Sequence, residues 1–175
     1  ASLTAPNGRA QQGLLIAALR DANTAASTLQ LVEAHGTGTA LGDPIEASSL
    51  TVTVLTSREM SLAVSGVKAN SGHAEHAAGM TGLLKLALGL QRGKAASNAQ
   101  LRSLNPHVSG WLEGVACMLS VQLAATTVGR GAVSSFGYSG TIAHSVLAFE
   151  GSTGYEALDR SPVTYRRRAF LWCDP

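Results

Sequence analysis

The chain has 175 residues, of which 45% are hydrophobic and 14% are charged, and its formal net charge at neutral pH is +2. This length predicts a single domain with its own hydrophobic core, whereas the small net charge and the lack of an apolar run of roughly 20 residues argue against nucleic-acid binding and a membrane span. A chain with so few charges and so many alanines and glycines predicts a large subunit or domain interface.

The first third of the chain predicts a helix, a strand and a second helix. Apolar residues recur at helical spacing over 11–22, and the run over 29–34 is typical of a strand. The strand leads directly into a glycine-rich turn that begins at His35. The next helix is predicted to start at Asp43, because this residue can cap free N–H groups and is followed by a proline and then by Glu46.

The middle of the chain repeats the strand–turn–helix pattern. Residues 62–67 predict a strand that leads to a turn containing Gly72 and His73. A long helix rich in Ala, Leu and Met is predicted over 74–91. The repeated unit indicates that the two turns lie at the same edge of a sheet.

The last third predicts mainly strands. A loop is predicted at 105–107, followed by two strands over 115–123 and 126–135 that we expect to pair in antiparallel fashion. A tight turn over 137–140 then leads to a last strand over 143–149. Because strand–helix alternation is followed by strands, the predicted fold class is layered α/β with a mixed sheet.

Two of the predicted strands each lead to a histidine beside a glycine. His35 precedes Gly36, and His73 follows Gly72. One histidine in such a place is more often a hydrogen-bonded structural residue than a catalytic one. Two histidines in the same relation to two successive strands carry more information, because neighbouring strands lie only ~5 Å apart and both imidazoles could then face one ligand.

Three other kinds of site fit the sequence poorly. Gly36, Gly38 and Gly42 have the spacing G-x-G-x-x-x-G, which departs by one residue from the dinucleotide-binding fingerprint. His73 and His76 are three residues apart, whereas the zinc-binding His-Glu-x-x-His helix has them four apart, and no third ligand is evident. A G-x-S-x-G nucleophile elbow is absent. We therefore predict no dinucleotide, metal or hydrolase site.

Three sequence blocks resemble signatures of the β-ketoacyl synthase family. Residues 32–46, VEAHGTGTALGDPIE, are similar to the pattern E-A-H-G-T-G-T-x-x-G-D-P-x-E, and residues 68–79 resemble the K-x-N-x-G-H-x-E-x-A-A-G block. Residues 135–144 resemble the S-F-G-F-G-G-T-N-A-H block near the end of the domain, with Ile142 in place of the usual asparagine. The blocks follow in the family's order over residues 3–150, and the resemblance is greatest to modular polyketide synthases.

The resemblance implies a thiolase-like fold, of which residues 1–150 form the C-terminal half, with a linker or tail over 151–175. It implies an acyltransferase that condenses malonyl on an acyl carrier protein (ACP) with an acyl thioester by decarboxylative Claisen chemistry, in polyketide or fatty-acid biosynthesis. An alternative is a non-catalytic module that serves dimerisation or carrier-protein binding. A thiolase relative is less favoured, because thiolases place a second cysteine late in the chain.

The resemblance also implies roles for individual residues. His35 and His73 are the implied catalytic pair that stabilises an enolate oxygen, and Lys68 orients and supports the second of them. Asp43 and Glu46 are the implied acidic partners of this lysine, although helix capping and turn chemistry explain both acids, and Thr39, equally well. Implied contacts to the phosphopantetheine arm and the acyl thioester come from five residues: Thr37, Thr39, Phe136, Gly137 and Tyr138.

Neither cysteine of the chain fits the family's nucleophile. Cys117 lies within a predicted apolar strand and is interpreted as a small core residue, and Cys173 lies in the tail. The sequence starts at Ala1 rather than at Met and shows no signal peptide. We therefore expect a piece of a longer protein that is inactive alone.

The implied partners follow from the family. We expect an N-terminal ketosynthase half that carries the catalytic cysteine, an acyl carrier protein and a second copy in a homodimer, with no nucleic acid. No prosthetic group and no metal are expected, because the substrates are carried on phosphopantetheine. The lack of a disulfide framework favours the cytoplasm, or the plastid stroma in a eukaryotic alga.

Overall fold

The computed structural model describes residues 5–56, 58–99, 101–127 and 129–151. The predicted linker or tail, apart from Gly151, lies outside these ranges and includes Cys173. The described residues form five α-helices: α1 (Gly8–Asp21), α2 (Gly42–Leu50), α3 (Lys68–Ser71), α4 (Ala78–Arg92) and α5 (Pro106–Leu112). They form seven strands: β1 (Leu29–Glu33), β2 (Leu62–Ser65), β3 (Lys94–Ala95), β4 (Cys117–Leu119), β5 (Ala124–Ala125), β6 (Arg130–Phe136) and β7 (Ile142–Ala148).

Five of these strands form one mixed sheet in the order β4-β2-β1-β6-β7. The central strand β1 is parallel to β2 on one side and to β6 on the other, while β4 is parallel to β2 and β7 is antiparallel to β6. The α/β class with a mixed sheet is as predicted. The expected antiparallel pairing of the two strands after residue 115 is wrong, because the chain between β4 and β6 leaves the sheet and pairs through β5 with β3.

The core lies on both faces of the sheet. One face packs against α1 and includes these buried residues: Leu15, Leu19, Val32, Val64 and Ala132. The opposite face packs against α4 and includes another buried set: Leu31, Ala63, Leu86, Leu90 and Val133. Because successive residues of a strand point to opposite faces, the sheet forms a layer between helices. No described helix is both long and apolar enough to cross a membrane.

Several helix starts differ from the sequence prediction. Helix α2 begins at Gly42, and Asp43 does not cap it; the Gly42 N–H donates instead to Thr39 Oγ1 at 3.0 Å. The predicted loop at Asn105 is the start of α5, where Asn105 Oδ1 accepts the backbone N–H of His107 at 2.9 Å. An asparagine followed by proline is a favoured helix start. The long helix α4 also begins later than predicted, after a 3-10 turn.

Candidate active site

The two histidines lie beyond the carboxyl ends of adjacent parallel strands. His35 lies just after β1, and His73 lies just after α3, the short helix that follows β2. Their ring centroids are 6.3 Å apart and their ring planes meet at 89°. Phe136, at the end of β6 on the other side of β1, has its ring centroid 5.5 Å from that of His35. The fold therefore brings both imidazoles to one place, as neighbouring strands allow.

Two carboxylates of α2 fix the turn that carries His35. Glu46 accepts the backbone N–H of His35 at 2.7 Å and that of Gly36 at 2.8 Å, one on each oxygen. Asp43 accepts the N–H of Gly38 at 3.1 Å. Gly36 and Gly38 have φ values of 46° and 76°, which glycine adopts readily. Both acids thus bind the turn, as their turn-chemistry interpretation has it, and neither caps α2.

The two threonines of this turn contact each other and the start of α2. The Oγ1 atoms of Thr37 and Thr39 are 3.2 Å apart, and Thr39 Oγ1 also accepts the Gly42 N–H. The turn-chemistry interpretation of Thr39 is therefore confirmed. The hydroxyl pair is exposed, so a ligand can reach it, and its contact with a phosphopantetheine arm stays a prediction.

The second turn fixes the position of the proton on His73. The backbone N–H of Glu75 donates to His73 Nδ1 at 2.8 Å, so the proton of the neutral ring is on Nε2. That Nε2–H remains available to a ligand. Two left-handed residues shape this turn: Gly72 has φ 79° and ψ −177°, and Glu75 has φ 44°, a conformation that costs a non-glycine residue about 1–2 kcal/mol.

Lys68 connects the two turns. Its Nζ donates to the backbone carbonyl oxygen of His35, and it begins α3, which leads to His73. Burial, the charge of Lys68 and the neighbouring His73 together lower the pKa of His35 to about 4, so this ring is neutral at pH 7. Its Nδ1 is buried without a partner among the described residues, which leaves Nε2 as the nitrogen that can meet a ligand.

The carboxylates around Lys68 help to keep it charged. Burial lowers the pKa of Lys68, and the negative charges of Glu46, Glu33 and Asp43 raise it. Burial raises the pKa of Glu46 to about 7, although its two backbone N–H donors and Lys68 act in the opposite direction. The charge of Glu46 therefore changes near neutral pH, and the net charge around the histidine pair changes with it.

The hairpin between β6 and β7 contributes Phe136 to the histidine cluster. The N–H of Gly137 donates to the carbonyl oxygen of Thr141 at 2.6 Å and closes the hairpin, while Tyr138 at its tip is 80% exposed. The contacts predicted for Gly137 and Tyr138 with an acyl thioester stay predictions. Ile142, which replaces the asparagine usual in the family, is the cross-strand partner of Phe136.

A buried charged cluster beside the site is not among the predicted residues. Glu33 is 1% exposed and accepts hydrogen bonds from Ser65 Oγ at 2.8 Å and from Lys85 Nζ at 2.6 Å. The backbone N–H of Val67 is its third donor. The signal that could have revealed this cluster is a glutamate in an apolar strand together with a lysine in an apolar helix, since each needs a partner when buried.

Cys117 lies in β4, separated from β1 by β2. Burial raises the pKa of its thiol to about 11, so the thiol stays protonated at neutral pH. It packs against the core cluster that includes α1. These observations agree with its interpretation as a small core residue.

Known sequences place the chain in a family. The family described as beta-ketoacyl synthase, C-terminal domain, matches residues 1–102. The chain belongs to the β-ketoacyl synthase family. It is 42% identical over 150 residues to the phenolphthiocerol synthesis polyketide synthase type I Pks15/1 of Mycobacterium bovis, a match that covers 83% of this chain and 7% of that protein. It is 38% identical over 168 residues to erythronolide synthase EryA2 of Saccharopolyspora erythraea, covering 93% and 5% respectively.

Solved ketosynthase structures share the fold. The chain superposes on ketosynthase twelve of the bacillaene polyketide synthase from Bacillus amyloliquefaciens with a TM-score of 0.79 and 33% identity, over 86% of this chain and 28% of that one. For the oxazolomycin ketosynthase domain OzmH KS7 of Streptomyces albus JA3453 the TM-score is 0.78 and the identity 34%, over 85% and 27%. The fold is therefore the predicted thiolase-like fold, and the chain is a ketosynthase C-terminal domain of the polyketide synthase type. It spans 5–7% of these curated relatives.

Proposed function

We propose that this chain supplies the histidine pair for the decarboxylative condensation step of a polyketide ketosynthase. The observation that carries the proposal is the meeting of the His35 and His73 rings, whose centroids are 6.3 Å apart. Two ring N–H groups that converge in this way can both donate to one thioester carbonyl oxygen. Such preorganised donors act where negative charge develops in the transition state.

Decarboxylation creates that negative charge. When a malonyl thioester loses CO₂, the electron pair of the breaking C–C bond moves into the thioester, and charge develops on the carbonyl oxygen. The Nε2–H groups of His73 and His35 donate to this oxygen, and one such donor is worth about 10²–10³-fold in rate. The carbanion then attacks the acyl thioester on the cysteine of the first half, forms the new C–C bond and releases the cysteine thiolate.

The charges around the pair suit this reaction. His35 has a pKa of about 4, so it donates as a neutral imidazole and keeps no permanent ion pair with the malonyl carboxylate that must leave as CO₂. Lys68 donates to the His35 carbonyl oxygen and provides a positive charge beside the developing enolate. Both effects favour the transition state over the ground state.

An N-terminal ketosynthase half is the proposed partner of α4. The outer face of this helix exposes Met80, Leu84 and Leu88 by 59%, 58% and 47%, and these residues form one stripe because they are four positions apart. Leu84 and Leu88 line an open groove of about 750 Å³ together with Leu123. A contiguous exposed apolar patch indicates an interface, and the solved ketosynthases, of which this chain matches 27–28%, have the additional length to cover it.

The substrates in this proposal are thioesters on the phosphopantetheine arm of an acyl carrier protein. The exposed hydroxyls of Thr37 and Thr39 are the proposed contacts of that arm. Gly137 and Tyr138, in the hairpin that holds Phe136 near His35, are the proposed contacts of the acyl thioester. The relatives favour a polyketide rather than a fatty acid as the product, since Pks15/1 is a type I polyketide synthase and ketosynthase twelve belongs to the bacillaene polyketide synthase.

The experiment joins the chain to a ketosynthase first half that carries the cysteine and measures malonyl decarboxylation and β-ketoacyl formation. We expect His35→Ala and His73→Ala each to lower both rates by ~100-fold or more. His107→Ala is the matched control, because His107 is exposed on α5 and should leave both rates unchanged. Unchanged rates in both His35→Ala and His73→Ala would reject the proposed roles.

A further inference from the structure

Glu33 is a fully bonded carboxylate between the sheet and α4. It lies at the end of β1 with 1% exposure, and Lys85 Nζ lies 2.6 Å from its Oε2. Lys85 Nζ also donates to Ser65 Oγ at 2.9 Å, and Ser65 Oγ donates to Glu33 at 2.8 Å. Gly82 of α4 makes room for this cluster, since a Cβ there would lie 3.3 Å from Glu33 Cγ.

The third donor to Glu33 connects the cluster to the second histidine turn. The backbone N–H of Val67 donates to Glu33 Oε1, and Val67 directly precedes Lys68. The carbonyl oxygen of Val67 accepts the N–H groups of Asn70 and Ser71 at 2.9 and 3.1 Å. Both hydrogen-bonding groups of the Val67 backbone are therefore used to fix α3, the helix that begins at Lys68 and leads to His73.

Stability alone is a weak reason for such a cluster. A buried ion pair often contributes no more to stability than apolar residues of similar volume would. The position of Glu33 has a more specific consequence, because its three donors come from β2, from the residue before Lys68 and from α4, the helix after His73. One carboxylate thus joins the segments on both sides of the second histidine turn.

We infer that Glu33 and Lys85 are positioning residues, which set the place of Lys68 and His73 relative to His35 without touching the substrate. This inference rests on the proposed function for its catalytic consequence. Its structural consequence is independent of that function: without the Glu33 carboxylate, the Val67 N–H loses its acceptor and α3 shifts. The N–H of Gly66 is bonded separately to Asn98 Oδ1 at 2.9 Å, so β2 should stay in place when this contact is lost.

The test uses the complete ketosynthase with Glu33→Met, Glu33→Gln and Lys85→Met. Three quantities are measured: amide hydrogen exchange at residues 67–73, acyl loading of the cysteine, and kcat and KM for malonyl decarboxylation. Lys94→Met is the matched control, because Lys94 is exposed beyond the end of α4. Glu33→Gln is the conservative variant, because its amide oxygen can still accept the Val67 N–H.

We expect Glu33→Met and Lys85→Met to raise exchange at residues 67–73 by at least ~10-fold. Because a displacement of about 1 Å at a reacting group can cost ~10²-fold, kcat should fall by at least ~10-fold, with KM and acyl loading within ~2-fold. Glu33→Gln should recover part of kcat, and Lys94→Met should behave as the unchanged protein.

Two results would overturn the inference. One is unchanged exchange at residues 67–73 in both Glu33→Met and Lys85→Met. The other is a loss of decarboxylation that merely parallels an equal loss of acyl loading, since that is the signature of partial unfolding. If the unchanged protein loads acyl groups but does not decarboxylate malonyl, the proposed function fails, and the exchange measurement still decides the inference.

Discussion

The turn after β1 and the turn that follows α3 carry one histidine each, and a glutamate accepts backbone N–H groups in each region, Glu46 within the first turn and Glu33 just before α3. At the first turn Glu46 accepts two such groups. At the second, Glu33 accepts one from Val67 and is also paired with Lys85. The two glutamates thus perform a similar task in different electrostatic surroundings.

The two glutamates differ in how the nearest lysine is used. The charge of Lys85 is compensated directly by Glu33 at 2.6 Å. Lys68 instead donates to the carbonyl oxygen of His35, and its charge helps to lower the pKa of that histidine. Lys85 thus acts through its ion pair with Glu33, whereas the charge of Lys68 acts on His35.

The largest effect is expected from removing the glutamate of the first turn. Glu46→Ala leaves the half-buried N–H groups of His35 and Gly36 without their acceptor, and an unpaired group costs up to about 1–3 kcal/mol when it is buried. We expect the melting temperature of the complete ketosynthase to fall and malonyl decarboxylation to fall by at least ~10-fold. Glu59→Ala, an exposed glutamate, is the control. An unchanged melting temperature and an unchanged decarboxylation rate in Glu46→Ala would show that Glu46 does not fix the first turn.

A smaller loss of stability is expected when the glycine next to each histidine is replaced by alanine. Gly72→Ala places a side chain at φ 79° and ψ −177°, a region that costs of order 1–3 kcal/mol for a non-glycine residue. Gly36→Ala, at φ 46°, should cost about 1–2 kcal/mol. Neither Cβ would meet an atom closer than 3.9 Å, so the cost is conformational. The melting temperature of Gly72→Ala should be lower than that of Gly36→Ala. The reverse order would contradict the strain assigned to the second turn.

The smallest effect is a change in one pKa. Lys68→Met removes a positive charge that disfavours the imidazolium form, so the pKa of His35 should rise above about 4 but stay below the ordinary value of ~6.5, because burial is the larger cause. Histidine NMR titration of the complete ketosynthase measures this shift, with Lys94→Met as control. An unchanged or lower pKa would show that the Lys68 charge does not act on His35.

The low pKa of His35 also makes the free energy of unfolding depend on pH. The unfolded chain takes up a proton at His35 near pH ~6.5, whereas the folded chain does so only near about 4. The contribution of the neutral ring to stability is therefore fully present above pH ~6.5 and is lost as the pH falls toward 4. Lys68→Met should narrow the pH range over which this stability is lost, because it raises the pKa of His35 in the folded state.

The first turn could be predicted from the sequence more completely than the second. His35, Asp43 and Glu46 lie within one short block, so the contact between the turn and α2 is local even though the acids were also compatible with helix capping. Glu33 and Lys85 are 52 residues apart, and no local pattern joins them. Their pairing depends on α4 packing on the face of β1 to which Glu33 points.

The strand order shows the same limit. The propensity of residues 115–135 indicates strands, but nothing in it says that β4 and β6 lie on opposite sides of the β1–β2 pair. Strand pairing depends on packing between residues far apart in the sequence, and local β-propensity cannot predict it. The helix start at Asn105 is the opposite case, since the cap and the proline that form it are visible in the sequence.

The proposed function requires that His35 and His73 donate to one thioester oxygen. It is tested most directly by the infrared carbonyl stretch of a malonyl thioester analogue that cannot lose CO₂, labelled with ¹³C at the thioester carbonyl and bound to the complete ketosynthase. If both rings donate, the stretch lies below its value in water, returns part of the way to that value in His35→Ala and in His73→Ala, and returns fully in the double variant. A stretch that neither single substitution changes would contradict it.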